Sequence, residues 1–450
     1  MSNTSGGPKR MLSHFSRISL AVLACRLALV YGNPAPGVET VASGFSYASG
    51  NQWNPAFLSY GTLPPDGNRL VPGSGSLPHS RYVDIPLSIQ PVWLAAAPID
   101  GDTVWVVSSD DGRIEAFRVV GDIAKAIVIR PNRLPPGVPP FLRVENGVPE
   151  LVTVPEPDAS PLTHPIILKG SRRLAFVGLD GDLVVRDGGV ARRLSVNALP
   201  DARLLTNKAE RVLLLTGATT RYGHSVLGDT VEAGSITLID VSNEPEVIRT
   251  ISLPGESVVE GIAPIWTDIT GDDVREIIVT LSDATSQGAR VVVFSETGEI
   301  VAEGPAIGRG YRWRHQISVA PFGPGGELEL VDVLTPHLGG IVEFYRLEGK
   351  TLRVVAQVRG YTSHVIGSRN LDMAAAGDFD GDGRLEVLLP NQKLTELGAI
   401  RRTATGAEIA WSVPLGGRLR TNLAAITLPN GTLAIGAGRE DKVLRIWLPE

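Results

Sequence analysis

The sequence predicts an all-β chain built from a repeated four-stranded unit. Three observations carry this reading. The 450 residues include 50 Gly and 33 Pro, and only 20% are charged, a composition that suits a turn-rich β protein. From Arg81 onward, short β-rich runs recur between clusters of turn residues. Related stretches return about every 50 residues, near Asp272, Gly326, Asp382 and Asn430, which is the length of one propeller blade. Together they predict a seven-bladed β-propeller.

Taken in order, residues 1–32 read as an export signal. Lys9, Arg10 and Arg17 lead into an apolar run that begins at Ile18. Val22-Leu23-Ala24-Cys25 resembles a lipobox, with Cys25 as the anchor. Cleavage after Gly32 is the alternative and leaves a soluble product. Either way the expected location is extracytoplasmic: secreted, periplasmic or surface-anchored. A membrane is met only through that lipid anchor. Cys25 is the single cysteine, so intramolecular disulfides and cysteine-zinc centres are excluded. A formal net charge of −6 argues against a nucleic-acid partner.

Residues 33–80 are rich in Pro, Gly, Ser and Asn, and read as a linker or an ordered strap. The propeller is expected over 81–450, as a monomer. Its first three blades fall at 92–130, 164–195 and 202–253. Four more follow, centred on the recurring stretches. A Pro-rich insertion at 131–163 separates the first two blades, with a hairpin expected around Glu145-Asn146-Gly147. The last blade stops one strand short after Val443 to Trp447. Tyr82-Val83-Asp84-Ile85 is a strand with no blade of its own. Since open edges invite aggregation, this N-terminal strand is expected to complete the last blade and close the ring.

The densest motif is Asp378-Phe379-Asp380-Gly381-Asp382-Gly383-Arg384-Leu385-Glu386. Alternate carboxylates in a tight glycine-bearing loop aim oxygens at one hard cation. Asp378, Asp380, Asp382, a carbonyl near Arg384, and Glu386 form the candidate set. An Asp/Gly-rich turn that binds nothing is the competing reading. Apolar runs, not helices, flank the loop. It resembles the FG-GAP or VCBS repeat of integrin-α-like β-propellers. That resemblance implies calcium as the cofactor and a binding role outside the cytoplasm. A second loop, Asp268, Thr270, Asp272 and Glu276, matches the motif in part, with Asp273 in place of its glycine.

Blade links and middle turns of a propeller share one face, where ligands of such folds bind. The strand assignment puts His164, His224, His315, His337 and His364 there, with Tyr222, Tyr311, Arg312 and Arg314 among the neighbours. A basic, aromatic, His-bearing mouth suits a polar or anionic, carbohydrate-like ligand. The competing reading has these residues capping strand ends. No Gly-x-Ser-x-Gly, Walker or His-Glu-x-x-His motif occurs. The first functional expectation is therefore a non-enzymatic binding or adhesion module. The second is a polysaccharide lyase or related carbohydrate enzyme. In it Arg312 or Arg314 neutralises a uronate, and Tyr311, His315, His337 or His364 acts as base and acid. A structural display protein without a small-molecule site is the third.

Overall fold

The computed structural model describes residues 65–154, 158–168, 173–207, 209–284 and 287–449. The export-signal reading and most of the 33–80 segment lie outside the described residues. No helix occurs among the described residues, and every regular element is a strand.

The strands group into four-stranded antiparallel meanders. Sheet A spans 93–127, sheet B 166–195, sheet C 205–252, sheet D 265–303, sheet E 314–359 and sheet F 375–414. Sheet G contains Leu419–Thr427, Leu433–Arg439 and Val443–Trp447, and its fourth strand is Tyr82–Pro86. Tyr82 pairs with Trp447 and Pro86 with Val443, so the orphan strand does pair at the expected edge. Val258–Val259 adds a short rung between sheets C and D, and Glu303 pairs with Thr351 between D and E.

In each meander the fourth strand is the least buried. Glu276–Ser282 and Arg314–Ala320 are buried along their whole length. A strand buried on both faces reads as a continuous apolar run rather than an alternation. The fourth strands, Glu246–Ser252 and Gly406–Pro414, are largely solvated. Sheets therefore pack face to face at their inner strands and splay outward. Ile278 and Val293 of sheet D meet Val319 and Leu330 of sheet E. Phe344 of E meets Val387 and Ile400 of F, and Leu388 of F meets Leu423 and Ile435 of G. Leu444 and Ile446 of G meet Leu94 and Trp105 of A, so the packing order returns to the first sheet. At that junction Trp105 lies against the backbone of Gly436, where an added Cβ would come within 2.3 Å of the indole ring.

Two segments cross the middle of this arrangement. Residues 65–74 form the first, an ordered strap. The carbonyls of Pro65 and Asp66 accept from Thr206 N of sheet C and Trp266 N of sheet D. Asn68 Nδ2 donates to the Val319 carbonyl of sheet E (2.9 Å), and Leu70–Ser74 runs parallel along the inner edge of sheet F. The second is the link from sheet E to sheet F. Gly367 N donates to the Val226 carbonyl (2.8 Å), Arg369 pairs with Asp201, and Asn370 Nδ2 reaches the Val92 carbonyl. Asp372 joins the two crossings, since its carboxylate accepts from Arg69 of the strap (3.0 Å) and from Arg203 (2.8 Å). All three side chains are buried, and two cations hold the carboxyl of Asp372 below its ordinary range despite the burial.

The expected hairpin in the insertion forms from Leu142–Glu145 and Val148–Leu151. Asn146 and Gly147 both take positive φ at its turn. Its apolar face packs on sheet A through Leu142, Val144 and Leu151.

Candidate functional site

Strand alternation at the start of sheet E sorts the densest predicted stretch onto two sides. Successive side chains of a strand point to opposite faces. Trp313 and His315 share one face and stack, with ring centroids 5.0 Å apart and 11° between planes. Arg314 points the other way. It is buried against Asp332, Glu343 and Tyr345 of its own sheet. The expectation that Arg314 faces a ligand is thus corrected: three acidic or phenolic partners within the sheet already engage its guanidinium. Burial is the largest single influence and lowers its pKa, but those neighbours together outweigh it and raise the value above that of an ordinary arginine.

The Trp313 face gathers the predicted histidines. His337 stacks on the indole at 5.8 Å, and His364 meets it edge-on at 4.9 Å. His337 and His364 are hydrogen-bonded at 2.8 Å, and His364 Nε2 reaches the Ser368 carbonyl at 2.6 Å. His315 Nδ1 pairs with the Ser363 hydroxyl at 2.8 Å. Burial holds His315 and His364 well below the ordinary imidazole pKa, His364 at about 3, and holds His337 at about 4. The cluster is therefore neutral at physiological pH.

A second group adjoins it through the Trp313 indole, whose Nε1 donates to the Glu260 carbonyl at 2.9 Å. His224 Nδ1 is hydrogen-bonded to the Glu260 carboxylate, and the Ser282 hydroxyl donates to the other oxygen. Tyr311 stacks on His224 at 5.4 Å, and Tyr222 closes edge-on against both rings. Burial raises the Glu260 carboxyl, opposed by its bond to His224. Glu232 lies behind, pushed up to about 9 by burial and then by the charge of Glu260.

Tyr311 is 53% exposed and His337 is half-buried, while the Trp313 indole on which His337 stacks is only 2% exposed. The outer layer of the mouth is thus Tyr311, His224 and His337, with Arg312 exposed beside it. His164 stands apart. It is buried, edge-on to Trp93, and its backbone pairs with Arg203. Arg369, on the link from sheet E to sheet F, is engaged by Asp201 and Asp229. Much of the expected basic character does not assemble, because His315, His337 and His364 are neutral there and Arg314 and Arg369 are paired.

The Asp378 loop forms as a compact turn. Its backbone N–H groups from Gly381 and Gly383 donate to the Asp378 carboxylate at 2.8 and 3.3 Å. Asp378, Asp380 and Asp382 each offer an oxygen, and these lie within 4.8 Å of one another. Glu386 is buried beneath. One oxygen takes the Phe379 N–H (3.0 Å), and the other has no hydrogen-bond partner. Arg401 reaches Asp382 at 2.6 Å and comes within 3.6 Å of Glu386. Three loop carboxylates, Asp380, Asp382 and Glu386, thus face one guanidinium. Burial and the charges of Asp380 and Asp382 push Glu386 up to about 8. The Arg384 side chain turns away and donates to the Arg402 carbonyl at 2.7 Å.

The second loop repeats this backbone pattern but carries Thr270 where the first has Asp380. Asp268 turns both oxygens onto its own backbone, accepting from Gly271 N (2.6 Å) and Asp273 N (2.8 Å). The Thr270 hydroxyl donates to the same carboxylate, Asp272 caps Val274 N, and Glu276 takes the Ile269 N–H. Among the described residues only Asp378, Asp380 and Asp382 form a group of three convergent donors, so the Asp268 loop gathers no such set.

Sequence reasoning missed Glu260, Ser282, Ser363 and Ser368. Their partners lie 36, 22, 48 and 4 residues away respectively. No local pattern marks the first three. Ser368 contributes only its carbonyl.

No family model matches the chain, and no curated protein matches it. A europium-containing methanol dehydrogenase is similar in structure, with a TM-score of 0.54 and 9% identity over 86% of this chain and 90% of that one. The WD40 domain of Toxoplasma gondii coronin aligns with a TM-score of 0.37 and 8% identity, over 88% and 85% of the two chains. A chain of a mitotic checkpoint complex aligns with a TM-score of 0.37 and 11% identity, over 82% and 94%. The likeness to the dehydrogenase is one of fold alone, and the chain is a β-propeller.

Proposed function

We propose that this chain is a seven-bladed propeller working outside the cytoplasm as a binding module, with a neutral, polar, carbohydrate-like ligand. Sheets A to G are the blades, and the pairing of Tyr82–Pro86 with Val443–Trp447 closes the ring. The location rests on the expected export signal at 1–32.

One observation carries the ligand reading: the accessible Tyr311 stacks on His224, His337 stacks on the buried Trp313 indole, and Glu260 is hydrogen-bonded to both His224 and that indole. Aromatic faces offer apolar area to the C–H side of a sugar ring, while neutral imidazoles both donate and accept hydrogen bonds. Neutral rings favour an uncharged polyol over an anion, which would need fixed positive charge. A glycan array probed with the full chain tests this. Capture of neutral oligosaccharides is expected, and an empty array or capture confined to sulfated glycans overturns it.

Calcium at the Asp378 loop belongs to the same proposal. The unpartnered buried oxygen of Glu386 and the surplus of carboxylate over guanidinium fit a hard cation. Asp378, Asp380, Asp382 and Glu386 would hold it, and it would supply the missing positive charge. The Asp268 loop is a weaker candidate for the same ion.

The lyase reading is favoured by one contact. Glu260 fixes the Nδ1 side of His224, which leaves Nε2 as the nitrogen that can take a proton from a ligand. Arg312 is the exposed cation beside it. New ultraviolet absorbance from unsaturated sugar, on incubation with uronate polymers, would favour this reading over binding alone.

A further inference from the structure

Beyond the mouth, the link from sheet E to sheet F walls a second site. A cavity of about 370 Å³ opens between this link and the starts of sheets A and G, within the size range of small-molecule sites. Val92, Ile366, Met373 and Leu419 give it an apolar lining. Ile366 is 63% exposed there, a large apolar side chain with nothing covering it. Four charged residues complete the lining: Arg418, Arg420, Asp110 and Glu440.

These charges face one another without closing on one another. Arg418 Nε is 3.9 Å from Glu440, and Arg420 is 3.6 Å from Asp110. Both separations exceed a hydrogen bond. Every one of the four side chains is at least 44% exposed, so each keeps donor or acceptor capacity for a ligand. A simple anion would meet Asp110 and Glu440 as well as the arginines, and a simple cation would meet both arginines. A molecule bearing one charge of each sign on an apolar body satisfies both pairs and covers Ile366.

We propose that this cavity binds a zwitterion with an apolar body, of the class of the aliphatic α-amino acids. The ligand carboxylate takes the fork donors of Arg418 and Arg420. Its ammonium lies between Asp110 and Glu440, and its side chain fills the apolar lining. The proposal stands apart from the sugar reading of the mouth, since none of Tyr311, His224 and His337 lines this cavity, although Ser368 lies between the two sites.

Isothermal titration of the full chain with L-leucine is the test. Saturable binding is expected. 4-Methylpentanoate, which lacks the ammonium, and 3-methylbutylamine, which lacks the carboxylate, should each bind at least about tenfold more weakly, the loss of one charged contact. Arg420→Gln and Glu440→Gln should each weaken leucine by a similar factor with an unchanged melting temperature, since both side chains are solvated. Equal affinity for leucine and 4-methylpentanoate would make this an anion site and overturn the proposal. So would the absence of saturable heat with leucine at about 10 mM, a concentration above the dissociation constant of even a weak small-molecule site.

Discussion

His337 donates to His364: Nε2 of the first lies 2.8 Å from Nδ1 of the second. The direction follows from the next contact. His364 Nε2 lies 2.6 Å from the Ser368 carbonyl, and a carbonyl only accepts. Nε2 of His364 therefore carries its proton, and Nδ1 accepts from His337. The free Nδ1 of His337 keeps a lone pair for a ligand hydroxyl.

The hydrogen bond that His337 offers a ligand should therefore survive until its ring takes a second proton. Burial holds that event down to about 4. Affinity for a captured glycan should fall below about pH 5, as the lone pair is lost, and His337→Gln should remove that acid loss. An acid loss unchanged in His337→Gln would contradict the buried cluster.

Stability should fall on both sides of a mildly acidic optimum. His337 and His364 have folded pKa values of about 4 and about 3, below the ordinary 6.5. Their contribution is lost as pH falls from 6.5 through those values, because the unfolded chain binds the protons. Glu232 has the opposite sign. Its folded value of about 9 lies above the ordinary 4.5, so its contribution is lost as pH rises from 4.5 through 9. Glu232→Gln should flatten the alkaline arm and raise the melting temperature at pH 8 by about 2 °C or more. A parallel decline in wild type and variant would remove Glu232 from the account.

Ring closure has two separable tests. Gly436→Ala drives a methyl group into Trp105 across the junction of sheets G and A, and overpacking of this kind costs about 1–3 kcal/mol. Deleting residues 81–87 leaves the Val443–Trp447 edge unpaired, with aggregation as the expected result. Urea unfolding and light scattering measure the two effects. Unchanged stability and solubility in the deletion would sink the closure.

Chelation should lower the melting temperature, since an ion bound only by the folded chain stabilises it by mass action. Asp380→Ala and Asp382→Ala should abolish most of that difference. Asp272→Ala should change it little, because Thr270 replaces a carboxylate in the Asp268 loop and, among the described residues, no three donors converge there. Identical melting in calcium and in chelator would leave the Asp378 loop as a turn held by Arg401.

Local signals in the sequence were read correctly and distant ones were not. The Tyr82 strand could be placed because the last repeat lacked a partner, which is a matter of counting. Tyr311, His224 and His337 came together because blade links and middle turns share a face. Arg314 lies apart from Trp313 and His315, its neighbours in sequence, because strand alternation turns it to the opposite face. The strap was left open between linker and ordered segment because its polar composition hides its burial. Asn68 and Arg69 are buried only because partners 251 and 303 residues away satisfy them. Such pairings leave no periodic trace.

Hydrogen exchange of the full chain, with and without a captured neutral oligosaccharide, tests the central claim most directly. The account predicts added protection in peptides covering 222–228, 309–315 and 336–340. Protection confined to the 378–386 loop or to the outer strands, with those three segments unchanged, would contradict it.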